Sequence, residues 1–436
     1  MSLLRKGILT AAGNIICVAL SVVTQMILAR KLLPEGMGQY QVLLNSGVLI
    51  STFVTFGIGQ TSIYFLNRLK VNTASVIMNS LYWWFGGSLI LIVTLYITVK
   101  TFVGYFGYLP LFSVLSFAIG VSAILFANLL RPILVAALRM KEAVVVSIVL
   151  SGVHMVLIIF LAVLQRLQVD TAVIAISLGH TISAIILLWF LRKNIDLKYF
   201  FDFGLFQKML GYGLKLSLSN IVLIASTSIS LLLLRYLMIE NFSEVGYFGR
   251  AMAICVLIKL MTSSVTPMLY AKWSSVSSDE RVAQVERALR MQIAVSVIIG
   301  LGILLFGRTI VTVLYGDAFL PAVPPLYILV FGSIFFSMTS IYSNLLAGDG
   351  KTLLRALIFG ISIPISAITM FILTPKFGIV GAAFAQTIAY LVSLTLAIIL
   401  SSHMYSIKLK SSLLLNKSDI VYIRNSLFKT RISKGG

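Results

Sequence analysis

Lys259 lies near the middle of GYFGRAMAICVLIKLMTSSVTPMLYAKW, Gly246–Trp273, a run long and apolar enough to cross a bilayer. A cation at the centre of such a helix costs roughly 2.5–3.5 kcal/mol on insertion scales. The chemistry that suits it is the binding of an anion. Two further cations lie inside apolar runs, Arg250 in the same run and Lys215 in the one before. Lys215, Ser219, Ser226 and Ser230 follow steps of 4, 7 and 4, which puts them on one helical face. Lys259, Ser263 and Thr266 share a second face. Asn14 and Asn220 add amides, and Arg30 and Arg235 add cations at the ends of their runs. All 13 Asp and Glu residues fall in loops or at span edges. No buried carboxylate is therefore available to neutralise Lys259 or to relay a proton. The counter-charge would then come from an anionic ligand in a water-filled cavity.

Plainer uses exist for each of these side chains. Lys259 could pair with a helix carbonyl or a Ser/Thr cluster. Arg250 and Lys215 are long enough to snorkel to an interface. Asn14 and Asn220 suit interhelical hydrogen bonding, and the serine face of the Lys215 run suits close packing. His154 and His180 sit singly, which makes a poor metal site. Cys17 and Cys255 lie in different apolar runs and form neither a disulfide framework nor a metal-type spacing.

The elements that must position these residues follow from composition. Hydrophobic residues make up 59% and charged residues 11%, against about a quarter charged in a soluble chain. The class is an all-α integral membrane protein. The formal charge of +21 belongs to cations that alternate with apolar spans, so it reads as membrane topology and not as nucleic-acid binding. Arg5 and Lys6 precede an apolar run with no small-residue cleavage site, and this run is taken as a first span. About twelve spans are predicted, near 8–29, 38–59, 76–99, 109–130, 143–164, 171–191, 210–234, 246–271, 291–314, 324–346, 353–374 and 379–402. One set of alternate loops, with the tail, holds 24 Lys and Arg residues and the other holds 7. By the positive-inside rule both termini are cytoplasmic. Residues 406–436 are read as a basic cytoplasmic tail near anionic lipid.

The chain also repeats itself. Gly13–Tyr40 resembles Ser219–Phe248: Asn14 matches Asn220, Arg30 matches Arg235, and Gly38-Gln39-Tyr40 matches Gly246-Tyr247-Phe248. Leu138–Gly152 echoes Gly348–Ser362. Two pseudo-symmetric six-helix halves of like orientation follow, residues 1–200 and 201–405. In repeat-built transporters, substrate sites lie between such halves near the midplane.

Three stretches carry a resemblance to one family. LARKLLPEGMGQYQVLLNSGVLISTFVTFGIGQTSIYFLNR near the start, LYGDAFLPAVPPLYILVFG, and AGDGKTLLRALIFGISIPISAITMFILTPKFGIVGAAFAQTIAYLVS resemble polysaccharide flippases of the multidrug/oligosaccharidyl-lipid/polysaccharide exporter superfamily. The likeness extends to about Ser402. It implies two six-helix bundles around a central cavity lined mainly by spans one, two, seven and eight. It also implies a cargo: an oligosaccharide repeat unit for O-antigen, capsule or exopolysaccharide, linked to undecaprenyl pyrophosphate and moved to the outer leaflet of a bacterial inner membrane by alternating access. No cofactor and no catalytic residue is implied. Partners would extend to a polysaccharide polymerase and a chain-length regulator. The pyrophosphate would meet Lys215, Arg250 and Lys259, and sugar hydroxyls would meet the Ser, Thr and Asn faces. The rival readings are a multidrug exporter, a lipid-linked peptidoglycan precursor flippase, and a membrane polymerase, ligase or glycosyltransferase. The carboxylate-free interior opposes the first, the twelve-span count the second, and the short outer loops the third.

Overall fold

The computed structural model describes residues 3–196, 198, 200–273, 278–405 and 407; side chains at 3–9, 11, 215, 216 and 260–281 are outside that description. The basic tail expected after residue 405 therefore lies outside the described residues, apart from Ile407. The described residues form helices and no strand. In chain order they are α1 (Leu3–Val54), α2 (Ile58–Asn67), α3 (Thr73–Thr101), α4 (Val103–Phe106), α5 (Leu111–Ala136), α6 (Met140–Val163) and α7 (Val169–Leu191). They continue with α8 (Phe203–Leu237), α9 (Phe242–Trp273), α10 (Ser278–Tyr315), α11 (Val323–Gly348), α12 (Thr352–Gly360) and α13 (Ser362–Tyr405).

Nine helical runs among the described residues are long and apolar enough to cross a membrane. Two of them hold a pair of spans each. Ala12–Val54 is broken at Leu33 (φ 58°, ψ 178°), and Thr352–Tyr405 is broken at Gly378 (φ 56°, ψ −140°). With α9, 32 residues long and carrying Arg250 and Lys259, the predicted twelve are accounted for. The turn between spans one and two is much shorter than its sequence suggests. Lys31–Met37 reads as a loop, yet only Leu33 leaves the helix. Pro34 explains this, because it disfavours helical ψ in the residue before it and starts a new helix without needing its own N–H.

Two compact units are present. One comprises residues up to Gly249 with Val311–Pro321, and the other runs from Arg250 to Ile310 and from Ala322 onward. In the first, α5 packs against α3 and α7, α6 against α1 and α7, and α8 against α1 and α2. In the second, α11 lies along α13, and Val285, Leu289, Ile341, Tyr342, Leu345 and Ile358 form a core with almost no exposure. Outward positions such as Phe85, Val163, Ile298 and Leu305 remain exposed; on a membrane helix they face lipid and need no further cover.

One helix crossing in the first unit joins the two copies of the internal repeat. A Cβ on Gly38 would overlap the carbonyl oxygen of Phe242. A Cβ on Gly246, the repeat partner of Gly38, would overlap the carbonyl oxygen of Pro34 and stand 3.2 Å from the nitrogen of Gly38. Only glycine allows backbones this close. Such small-residue contacts drive association where lipid offers no hydrophobic force between helices.

The face of the bilayer from which span one starts is called the near face, and its opposite the far face. Glu35 and Asp317 belong to far-face turns. Cysteines placed at these two positions, in a chain lacking Cys17 and Cys255, are expected to react with an impermeant maleimide applied from outside the cell. Labelling of both only after the inner membrane is permeabilised reverses the sidedness.

Candidate functional site

Span two is interrupted towards its near-face end. Helix α1 stops at Val54, and α2 resumes at Ile58. Between them Phe56 (φ 44°) and Gly57 (φ 72°) take left-handed backbone, which is rare for a residue with a Cβ. Non-helical backbone at membrane depth persists only where it is buried in protein or lines a cavity. Here it does line one, of about 480 Å³. The other walls are α5, at Asn128, Arg131 and Pro132, and α8, at Ser217 and Asn220.

Local chemistry explains how the three elements meet. Pro132 lies inside α5 and has no N–H to give to the carbonyl of Asn128 one turn back. Gly59 packs directly over that carbonyl, where a Cβ would overlap it. On the other side, a Cβ on Gly57 would stand 2.7 Å from Ser217 Oγ and 2.6 Å from the Gly213 oxygen.

The described lining includes several polar side chains. Asn220 Nδ2 donates to Gln60 Oε1 at 2.7 Å, and Asn128 Nδ2 donates to Ser51 Oγ at 3.4 Å. Ser217 is 3% exposed, and its hydroxyl has no hydrogen-bond partner. Among the described lining residues Arg131 carries the only formal charge.

Lys259 lies in the second compact unit. Its Nζ stands 4.6 Å from the ring centroid of Phe336 and 5.3 Å from that of Tyr390. The two rings tilt by 56° at 5.0 Å, so they form two sides of a box. Aromatic faces attract a cation by about 2 kcal/mol or more once both are desolvated, which is comparable to the insertion cost. Buried Gln386 and the Tyr390 hydroxyl have no hydrogen-bond partner. Ser337, also buried, donates to the Ile258 carbonyl at 3.5 Å.

The other candidates divide by position. Ser219, Ser226 and Ser230 are all buried in α8, and Ser226 Oγ donates to the Leu223 carbonyl at 2.8 Å. Arg250 is buried in α9, whereas Asn14 is exposed on α1. Lys215 and Ser263 are helical, but their side chains lie outside the described ones. At the far face the repeat-related arginines hold backbone. Arg30 donates to the Val313 carbonyl at 2.6 Å. Arg235, 1% exposed, donates to the carbonyls of Tyr105 (2.8 Å), Met238 (3.2 Å) and Gly104, and stacks 3.4 Å over Phe242.

Of the sequence candidates, then, Asn220 is brought to the cavity in span two. Its neighbours there, Gln60, Asn128, Arg131 and Ser217, were not singled out. Arg131 reads from sequence as one more near-face loop cation. The available signal was a proline directly after an arginine in an apolar run, together with the paired glycines at 57 and 59.

A family model described as "Polysaccharide biosynthesis protein" matches residues 3–270. The capsular polysaccharide biosynthesis protein CapF of Staphylococcus aureus is 25% identical over 217 residues, 48% of this chain and 54% of that protein. An uncharacterized membrane protein of Methanocaldococcus jannaschii is 34% identical over 87 residues, 20% of this chain and 17% of that one. The chain thus spans about half the length, or less, of these curated relatives. Among solved structures, lipid II flippase MurJ in an inward closed conformation superposes with a TM-score of 0.74 at 16% identity, covering 91% of this chain and 87% of that one. An inward-facing multidrug resistance MATE family transporter of the MOP superfamily gives 0.72 at 16% identity, covering 92% and 98%. Identities this low establish a shared fold.

Proposed function

The chain belongs to the polysaccharide biosynthesis protein family, and on that premise we propose that it is a flippase for lipid-linked oligosaccharide. The cargo is a repeat unit joined to undecaprenyl pyrophosphate, carried from the cytoplasmic to the outer leaflet of a bacterial inner membrane. The moving parts are the six-helix halves 1–200 and 201–405, which rock about a central site, with both termini cytoplasmic. A polymerase and a chain-length regulator take over the product.

The observation that carries this reading is the state of Lys259. It is met by ring faces and by no acidic residue among those described. Aromatic faces hold a cation without cancelling its charge, so its field remains available to an anion. Lys215 and Arg250 add to that field, and Ser219, Ser226, Ser230, Ser263, Asn14 and Asn220 offer hydroxyls and amides to sugars. Arg30 and Arg235 are engaged by carbonyls, so they meet cargo only after those bonds open.

The test is restoration of surface polysaccharide in a bacterial strain deleted for its own oligosaccharide flippase, at matched membrane levels of the protein. Export is expected to return. A protein that restores no polysaccharide but lowers the accumulation of cationic drugs would instead be a multidrug exporter.

A further inference from the structure

The connection from span six to span seven lies at the level of the near-face bilayer surface. From Tyr82 to the far end of α3 at Thr101 the helix rises about 28 Å, against about 30 Å for a hydrocarbon core. Tyr82, Trp83 and Trp84 therefore stand at the near-face boundary, where aromatic belts form. The connection packs onto this belt: Phe201 stands 5.9 Å from Tyr82 and 5.2 Å from Phe206, and Phe206 stands 5.2 Å from Trp83, centroid to centroid. Its other end is held by Arg139, which donates to the Phe190 carbonyl at 2.9 Å and to Asn194 Oδ1 at 3.3 Å. Between these fixings Phe200 is 77% exposed, and Phe203 just beyond them is 61% exposed. Arg192, Lys193 and Lys198 are exposed as well. The neighbouring carboxylates turn to backbone: Asp196 Oδ1 accepts from the Lys198 N–H at 3.0 Å, and Asp202 Oδ1 from the Leu205 N–H at 2.9 Å. Among the described residues no carboxylate lies within salt-bridge distance of the three cations. Arg192 instead lies 4.7 Å over the exposed ring of Trp189.

Loop charge accounts for the sign of these cations, but not for bare phenylalanine rings set among them. A water-facing segment gains nothing from such rings, whereas the boundary between headgroups and acyl chains takes rings and cations together. We infer that residues 192–203 are a docking surface for anionic phospholipid of the near leaflet. Phe200 and Phe203 seat below the headgroups, and Arg192, Lys193 and Lys198 meet the lipid phosphates. The depth of the rings, level with the aromatic belt, selects lipid over a soluble acidic protein. Charge complementarity selects an anionic lipid over a zwitterionic one. The leaflet then holds the first turn of span seven through Phe203, so its surface charge bears on that helix. The inference does not depend on what the chain carries.

The test uses the full chain with Cys17→Ser, Cys255→Ser and Phe200→Cys, labelled with bimane at position 200 and placed in phosphatidylcholine nanodiscs. Thermal melting monitors the native fold of each variant. Phosphatidylcholine with a nitroxide high on its acyl chain is expected to quench the label, and aqueous iodide to quench it only weakly. Nitroxide-labelled phosphatidylglycerol is expected to quench equally at about one-fifth the mole fraction or less, the factor for even one surface cation. Combining Arg192→Gln, Lys193→Gln and Lys198→Gln is expected to abolish that preference. Combining Arg192→Lys, Lys193→Arg and Lys198→Arg is expected to keep it, as is Arg166→Gln, which removes an exposed far-face cation. Free quenching by iodide with none by lipid places the connection in water and overturns the inference. Equal quenching by the two labelled lipids overturns anionic lipid as the occupant, and so does an undiminished preference in the triple glutamine variant. Shielding from both quenchers that disappears when each disc holds one copy assigns the surface to a second copy of the chain instead.

Discussion

Lys259→Met is expected to keep the protein folded and inserted and to lower polysaccharide export by about tenfold or more, the loss that follows from removing a desolvated cation's pairing with an anion. Methionine nearly matches the lysine stem in length, and its thioether packs well against aromatic faces such as Phe336 and Tyr390. Removing a charge from mid-membrane also eases insertion, by up to roughly 2.5–3.5 kcal/mol. Lys259→Arg is expected to retain part of the activity, since the charge survives but the planar group stacks differently in the box. Lys259→Glu is expected to be worse than Met, because it repels phosphate and loses the attraction of both ring faces. Phe336→Leu provides a separate check on the box: it should lower the amount of folded protein while Lys259 keeps its charge, and restoring Lys259→Met in that background should recover folding. Wild-type export by both Lys259→Met and Lys259→Glu, at matched protein level, would remove Lys259 from the mechanism.

Gly246→Val is expected to have the second large effect, a loss of stability of at least about 1–3 kcal/mol, the range for overpacking, together with loss of export. The Pro34 carbonyl that its Cβ would strike is backbone and cannot rotate away. Gly38→Val should do the same against the Phe242 carbonyl. The two glycines share one contact, so the double variant should cost less than the sum of the single ones. Gly86→Ala is the control, since nothing lies within 4 Å of its added Cβ. Thermal melting of the detergent-solubilised chain reads the effect. An unshifted melting curve for Gly246→Val would show that the crossing loosens at no cost.

Much of this architecture was legible in the sequence because apolar length and loop charge are counted residue by residue. The spans, their number and the internal repeat all rest on such counts, and the match of Gly38 with Gly246 reappears as a physical contact. What partners a buried group was less legible. The rings that hold Lys259 come from α11 and α13, distant in the chain, and no periodicity links them to α9. The break in span two was hidden because Thr55-Phe56-Gly57 is apolar enough to continue a helix, and only backbone geometry shows that it does not. That Arg131 lines a cavity was hidden for a related reason. A cation near a span end counts equally towards topology whether it points at lipid headgroups or into a cavity.

The two far-face arginines carry a kinetic consequence. Arg30 of span one grips the last turn of span nine, and Arg235 of span seven grips the backbone that follows span three. The two positions correspond in the internal repeat, and each arginine holds backbone from the other copy's side of the chain, Arg30 through one carbonyl and Arg235 through two, with a third bond to its own side at Met238. On the flippase reading proposed above, opening of the far face would have to release both. A chain that frees one remains fastened by its twin, and the half-released state gains little freedom for the bonds it has lost. Release on that reading would then favour freeing the two together over freeing either one alone.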